Sequence, residues 1–419
     1  MAGTDRRAFI RKLGTAAALI IPSVPSRLLP DDGLVNPCGG VLPDHLARHE
    51  LVQAAFEGLD PADVWDCHAH LAGTGDSGLG VWMSPRMRSL LHPAEYARRL
   101  VLLNAACVDR QAVDRTYVDR LHALTDAFPP GAKAMVLAFD FHHDEGGKAA
   151  PERSVFHVPN LYAADVARRR PERFEWIASI HPYREDALEA LAAAAQEGAR
   201  AVKWLPSAMG IDPASPRCDA FYTALAARAL PLLAHGGDEA AVHGALAQQL
   251  ANPLKLRRAL DHGVRVIVAH CASLGSGVDL DRGPAGPRRS NFELFERQME
   301  DRRHEGLLYG DITAITQINR ARVALPRLLQ REDWHDRLLV GTDYPLPGVL
   351  PLISPDRLAG VGLLPVAEVP VLTQIRRHNP LLFDFVLKRR LAAGGKRFTE
   401  PVFRTRPFFA GALPRRSRA

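Results

Sequence analysis

The chain has 419 residues, of which 47% are apolar, and its formal net charge is +6. This length allows one large barrel domain or two ordinary domains around a sizeable core. The positive charge lies at the two ends, because residues 1–30 carry +4 and residues 388–419 carry +9, which leaves −7 on residues 31–387. This distribution argues against a nucleic-acid-binding face on the folded part. No run of eighteen apolar residues occurs, which argues against a membrane-spanning helix there.

Residues 1–30 resemble a twin-arginine export signal. Arg6 and Arg7 precede Phe9, and a modest apolar stretch follows at residues 13–22. The alternative is a short basic amphipathic arm on a cytoplasmic protein. We predict that the twin-arginine export machinery carries the folded chain to the periplasm or the extracellular space. Residues 31–61 are then a lead-in to the folded domain.

Short runs rich in Val, Ile, Leu and Ala alternate with amphipathic helical patterns along residues 62–390. Nearly continuous apolar strands separated by helices are typical of a parallel sheet that is covered on both faces. Eight such strands predict an α/β fold, a distorted TIM (β/α)8 barrel. A doubly wound sheet would need a phosphate-binding glycine-rich turn after its first strand, but the glycine-rich stretch 73–80 is not followed by a helix start. The predicted strands are 63–70, 133–140, 175–181, 199–205, 230–235, 264–270, 306–312 and 337–343.

Composition also gives expectations for the C-terminus and the cysteines. Residues 391–419 are basic and are predicted to be a poorly ordered tail. The five cysteines are an odd number without a CxxC pair, so we expect neither a zinc ribbon nor an obvious disulfide framework. Cys67 lies between two histidines that share a strand face, so its thiol is predicted to point outward towards the helices.

Residue types that bind metals stand at the ends of the predicted strands. His68 and His70 are two residues apart on one strand, so their side chains point the same way. The carboxyl ends of parallel barrel strands meet at one face, where catalytic residues lie. Imidazole and carboxylate groups gathered there predict a divalent metal site. The other members of the set are Lys203, His235, His270 and Asp343.

This pattern resembles the amidohydrolase superfamily, in the amidohydrolase-related branch of small-molecule hydrolases and non-oxidative decarboxylases. The resemblance covers about residues 62–390 and rests on the HxH pair, the strand-end lysine and histidines, and the GTDYP stretch at 341–345. It implies that Lys203 is either a carboxylated bridge between two metal ions or a residue that holds substrate or structure. It implies that His270 is a second-metal ligand or a polarising group at the reacting carbon. The metal ligands that it implies are His68, His70, His235 and Asp343.

Four further residues are predicted to contact the substrate. Arg184 and Arg320 could bind it through their guanidinium groups, although Arg184 could instead cap a helix or form a salt bridge. Trp204 and Tyr344 flank two strand-end residues and are either pocket walls or packing residues. Glu239 could order His235 or simply begin a helix.

These residues predict an exported hydrolase that uses metal-activated water on an amide, ester or lactone carbonyl of a small molecule. Asp343 would accept the proton of the water, and His270 would stabilise the oxyanion. One or two ions are expected, and zinc suits nitrogen and oxygen ligands with an open position. One alternative is a decarboxylase of an aromatic or unsaturated acid with the same residues. Another is a non-catalytic exported metal-binding protein.

Overall fold

The computed structural model describes residues 34–239 and 247–410. The predicted export signal at residues 1–30 lies outside the described residues. Among the described helices, none is both long enough and apolar enough to cross a membrane.

Eight parallel strands form the centre of the molecule, and each corresponds to one predicted strand. They lie in two sheets, one of three strands in the order β1-β2-β3 and one of five in the order β4-β5-β6-β7-β8. Six of the observed strands end earlier than predicted, because the chain leaves the ladder there, whereas β1 and β5 end at the predicted residues. The bounds are β1 Trp65–His70, β2 Lys133–Leu137, β3 Phe174–Ile177, β4 Val202–Trp204, β5 Leu232–His235, β6 Val266–Ala269, β7 Leu308–Asp311 and β8 Leu338–Leu339.

The two sheets meet at two seams, each with a single parallel bridge. At the first seam Ala178 bridges Val202, and the backbone nitrogen of Lys203 donates to Ala178 at 2.7 Å. At the second seam Ala69 bridges Tyr344. The strands therefore do not form one continuous closed ladder.

Helices cover the outside of the strands and connect them. Short ribbons at 82–83 with 156–157, 276–278 with 288–290 and 392–393 with 396–397 extend the loops. The helices are α1 Asp44–Ala47, α2 Glu50–Phe56, α3 Pro93–Ala105, α4 Val113–Thr125, α5 Asn160–Arg169, α6 Ala187–Gln196, α7 Pro206–Met209, α8 Asp219–Ala227, α9 Arg257–Asp261, α10 Asn291–Glu300, α11 Ala324–Gln330, α12 Pro355–Gly360, α13 Val369–His378, α14 Pro380–Arg390 and α15 Arg406–Ala410.

The core has an outer layer and an inner cluster. The outer layer packs alternate strand residues, such as Val136 and Val266, against the covering helices. The inner cluster contains residues of both sheets, including Met135, Ile177 and Leu233, and contains none from α1–α14. Period-two alternation along the strands accounts for this division, with an exception in β1.

Cys67 belongs to the inner cluster, so its predicted outward orientation is wrong. The pairing of β1 with β2 is irregular between Asp66 and Ala69, where three residue steps on β1 match two on β2. Such a bulge breaks simple alternation. Cys67 therefore lies on the same side as His68, and a Cβ atom at Gly341 would lie 3.1 Å from atoms of both.

Residues 391–410, in the segment predicted to be poorly ordered, are folded. Phe408 and Phe409 of α15 join the inner cluster at the amino ends of the strands. The backbone nitrogen of Trp65 donates to the Thr405 hydroxyl at 2.9 Å. Burial of two aromatic rings stabilises this segment, which its basic composition did not reveal.

A disulfide joins Cys38 to Cys107, with their Cα atoms 5.4 Å apart, so the expectation of no disulfide framework is wrong for this pair. The bond ties the segment before α1 to the end of α3. Hydrogen bonds follow the same path, because the Asn36 backbone nitrogen donates to the Asn104 side chain at 2.9 Å. Among the described cysteines the other three are free and buried.

Breaking this disulfide is expected to lower the free energy of unfolding by about 4 kcal/mol, because it closes a loop across a sequence separation of 69. Urea unfolding of the oxidised and reduced protein measures the difference. The Cys38→Ser variant should resemble the reduced protein and should not respond to reductant. Equal midpoints for oxidised and reduced protein would contradict the stabilising role.

Candidate metal centre and substrate cavity

The carboxyl ends of the strands bring the predicted metal-binding residues together at one cavity. His68 and His70 end β1, while Lys203 and His235 lie on β4 and β5. His270 and Asp343 follow β6 and β8, with φ values of 57° and 60°. The left-handed region is uncommon for residues other than glycine and often marks functional sites. These two side chains enter the cavity beyond the ends of their strands, which are Ala269 in β6 and Leu339 in β8.

His68, His70 and Asp343 form a set that could hold a metal ion. Their ligand atoms all lie within 4.8 Å of one another. Asp343 Oδ1 is 3.1 Å from His70 Nε2 and 3.6 Å from His68 Nε2. Tetrahedral coordination at about 2.0–2.2 Å places ligand atoms roughly 3.4 Å apart, so these separations fit an ion such as Zn²⁺.

Asp311, at the end of β7, orients this set and was missed in the sequence. Its Oδ2 accepts a hydrogen bond from His68 Nδ1 at 3.0 Å, which leaves His68 Nε2 without a proton and able to bind a metal. With His68 and His270, Asp311 also forms a second potential metal set. Asp311 lies near the carboxyl end of the seventh predicted strand. The other members of the set were selected by such a position, so the same criterion could have identified Asp311.

A hydrogen-bond chain determines the protonation of the His270 ring. The Thr313 hydroxyl donates to Asp311, so its oxygen can accept from His270 Nδ1, which lies 2.6 Å away. The Thr313 carbonyl oxygen, at 3.3 Å, also accepts from Nδ1. The proton therefore lies on Nδ1, and Nε2 of the neutral ring can bind a metal or accept a proton. Donation to an oxyanion, as predicted from the sequence, would require the protonated ring.

Lys203 and His235 complete the polar end of the cavity. Lys203 Nζ lies 3.0 Å from His68 Nε2, the atom available to a metal. His235 belongs to neither metal set, but its ring centroid is 4.9 Å from that of His270. Its Nδ1 is 3.4 Å from Glu239 Oε2, as the ordering role of Glu239 requires. His235 Nε2 is buried without a hydrogen-bond partner in the described structure, so it suits a ligand.

Burial determines the protonation of these groups. It lowers the pKa of His235 to about 4 and that of His270 well below its usual value, so both rings are neutral at pH 7. Burial also lowers the pKa of Lys203. Burial alone would raise the pKa of Asp343, but the charges of His270 and His68 when their rings are protonated, together with a hydrogen bond from His70, hold it well below its usual value. Neutral imidazoles and an ionised carboxylate are the forms that bind metals.

The seam between β1 and the chain after β8 connects the metal-binding residues. Asp66 accepts hydrogen bonds from the backbone nitrogen of Thr342 at 2.9 Å and from its hydroxyl at 2.6 Å. The backbone nitrogen of Asp343 donates to the His68 carbonyl at 2.7 Å. Behind β8, Lys388 Nζ donates to the Gly341 carbonyl at 2.6 Å.

Three predicted substrate-binding residues do not line the cavity. Arg184 instead pairs with Asp140 at 3.0 Å and Asp186 at 2.6 Å. Trp204 and Tyr344 are fully buried in the outer layer. Alternation along β4 explains the placement of Trp204, because it follows Lys203, which points into the cavity.

Arg320 does line the cavity, as predicted, and is 7% exposed. Its Nη1 donates to the Ser273 hydroxyl at 3.2 Å and its Nε to the Gln317 side-chain oxygen at 3.3 Å. Both partners are neutral, and the guanidinium forms no salt bridge with the described residues, although the charges of Glu239 and Asp343 act on it through space. A buried cation whose direct hydrogen-bond partners are all neutral is unfavourable, so this group suits an anionic ligand atom.

Replacing Asp311 with Asn is expected to weaken divalent metal binding by roughly tenfold to hundredfold, because His68 loses the carboxylate that orients it. Titration of zinc against a chromophoric chelator measures the affinity, and circular dichroism checks the fold. Asp212→Asn is the matched control, because Asp212 pairs with Lys255 outside the cavity. Equal affinity of the Asp311→Asn and unaltered proteins would contradict the orienting role.

Comparison with solved structures gives matches of low identity. The IDCase of Metarhizium anisopliae has 15% identity and a TM-score of 0.45, and the match covers 83% of this chain and 97% of that chain. The 5-carboxyvanillate decarboxylase of Sphingomonas paucimobilis has 11% identity and a TM-score of 0.40, with coverage of 83% and 98%. The 4-oxalomesaconate hydratase of Rhodopseudomonas palustris has 10% identity and a TM-score of 0.41, with coverage of 83% and 97%. These scores support no conclusion about the reaction.

No curated protein sequence matches this chain. A family model described as Amidohydrolase matches residues 65–380, the range that holds all eight strands and the metal-binding residues. The match agrees with the α/β TIM-barrel fold and the divalent metal site expected from the sequence. Because the matched range is more than half of the chain, this protein belongs to the amidohydrolase family.

Proposed function

We propose that this protein is a metal-dependent hydrolase that acts on an amide, ester or lactone carbonyl of a small molecule. The observation that carries the proposal is the His68, His70 and Asp343 set at the polar end of a cavity. His235 and Lys203 are proposed to complete the site. A carboxylated Lys203 would bridge two ions, whereas its free amine would leave one ion and hold substrate or structure.

A divalent metal at this set, for which zinc is suited, would lower the pKa of a bound water to about 7. The protein supplies the remaining groups. Asp343 is held ionised, so a carboxylate oxygen can accept the proton of the water. His270 Nε2 lies 3.8 Å from Asp343 Oδ2 and can receive that proton or bind a second ion. Asp311 and Thr313 keep both histidine rings in the required orientation.

Export is part of this proposal. The twin-arginine pattern at residues 1–30 is the reason to propose passage through the twin-arginine machinery. The Cys38–Cys107 disulfide supports the same location, because disulfides persist in oxidising compartments such as the periplasm or the extracellular space.

Arg320 favours a second candidate, decarboxylation of an aromatic or unsaturated acid at the same metal. Its buried guanidinium has neutral hydrogen-bond partners and could bind a substrate carboxylate. A hydrolase substrate with one acidic group would satisfy it equally. The released product, carbon dioxide or a hydrolysed acyl compound, distinguishes the two reactions.

Replacing Asp343 with Asn is expected to lower turnover by about three orders of magnitude or more, because the amide can no longer accept the proton. Initial rates on a panel of esters, lactones and amides measure the loss with metal-loaded protein. Asp186→Asn, at the exposed partner of Arg184, should retain activity. Full turnover in folded Asp343→Asn protein would exclude this mechanism.

Replacing Arg320 with Gln is expected to raise KM for substrates that carry a carboxylate by roughly tenfold to hundredfold, since a charge-assisted hydrogen bond is lost. Uncharged substrates should be affected much less. Arg184→Gln is the matched control, because that guanidinium lies outside the cavity. Rates of carbon dioxide release and of hydrolysis on the same panel give both readouts. An unchanged KM for every acid would remove the support for an acid substrate.

A further inference from the structure

Beyond the metal-binding residues, the cavity is a chamber with predominantly apolar walls. The walls come from the segment before α3, from α3 itself and from the turn that follows Asp343. Residues from these three elements are Met83, Met87, Leu102, Leu103, Leu346 and Leu352. All line the same cavity as His70 and Asp343, so a molecule whose reacting group lies at the metal-binding end must extend along them.

Positive charge in the cavity is confined to its polar end. The lysine and arginine side chains that line it are Lys203 and Arg320 among the described residues. Both belong to the polar end, because Lys203 contacts His68 and the charges of Glu239 and Asp343 act on Arg320. Residues 240–246, which follow the cavity residue Glu239 in the sequence, contain no lysine or arginine. A second anionic group of a ligand would therefore lie unpaired against leucine and methionine side chains, which is unfavourable.

The chamber wall is held in place by covalent and polar links. Leu102 and Leu103 lie just before Asn104, whose side chain accepts from the Asn36 nitrogen, and the disulfide follows three residues later. The Asn36 side chain in turn donates to the Gly348 carbonyl at 3.3 Å, within the turn that carries Leu346 and Leu352. Gly348 packs so closely on α3 that a Cβ atom there would lie 2.2 Å from the Ala105 carbonyl oxygen. A wall organised before binding costs a ligand little ordering free energy.

We propose that the substrate has an uncharged apolar body that occupies this chamber and at most one anionic group, which lies at the polar end. This inference deepens the proposed function and rests on it only for the identity of the reacting group. Short polar acids and dicarboxylates are excluded as good ligands, because they leave the chamber unfilled or place a charge within it.

Calorimetric binding of linear carboxylates to the metal-loaded protein tests the proposal without any reaction. Across butyrate, hexanoate and octanoate, affinity should rise by about fourfold for each added methylene, the gain expected when a methylene leaves water. Octanedioate, which matches octanoate in length but ends in a second carboxylate, should bind at least tenfold more weakly than octanoate.

Leu103→Trp tests the location of the apolar body. The larger side chain should fill the chamber, remove most of the advantage of octanoate and leave butyrate binding nearly unchanged. Leu91→Trp is the matched control, because Leu91 lies before α3 and is 89% exposed. The series on the unaltered protein remains decisive if Leu103→Trp fails to fold.

The outcomes separate this inference from the proposed reaction. Flat affinity along the series, equal binding of octanedioate and octanoate, or no binding of any probe would overturn the inference. If affinity rises with chain length but no ester, lactone or amide is turned over, the apolar chamber is supported as a binding site and the proposed hydrolysis is rejected. If these compounds are turned over without preference for an apolar body, the proposed hydrolysis is supported and the role of the chamber in substrate binding is rejected.

Discussion

Asp66 accepts two hydrogen bonds from Thr342 and so joins the first strand to the chain that follows the last one. His68 and Asp343 lie next to these two residues, and a backbone hydrogen bond links them directly. The three-residue metal set spans this seam, because two of its members come from β1 and one comes from beyond β8. The geometry of the candidate centre therefore depends on a contact between residues that are 276 positions apart in the chain.

The space enclosed by the strands is apolar towards their amino ends and polar at their carboxyl ends. This division determines the protonation states of the candidate metal ligands. Both sheets contribute apolar side chains to the inner cluster, and α15 closes it at the amino ends of the strands. The histidines and carboxylates above it are buried, which keeps His235 and His270 neutral. Hydrogen bonds hold the carboxylates ionised in the same place, as the lowered pKa of Asp311 indicates. An arrangement of neutral nitrogen and ionised oxygen donors in a site of low polarity favours a bound cation.

The segment before α1 contacts the wall of the substrate cavity and also carries Cys38, whose disulfide fits the proposed export. It crosses the end of α3 and the turn around Gly348, two elements that also form the wall of the substrate cavity. The disulfide at Cys107 stabilises this contact in an oxidising compartment.

The sequence by itself determined the eight strands and the strand-end residues of the site, because alternation and apolar runs are local properties of a chain. The same local rule accounts for Trp204 in the outer layer, since it is the strand neighbour of the cavity residue Lys203. Only the tertiary structure decided the rest. The bulge that turns Cys67 inward depends on pairing with β2, and the role of Asp311 depends on the distance to His68. The disulfide, the packing of Phe408 and Phe409, and the pairing of Arg184 with Asp140 likewise join residues far apart in the sequence. Such contacts leave no periodic signal, since they arise from the way the elements pack in space.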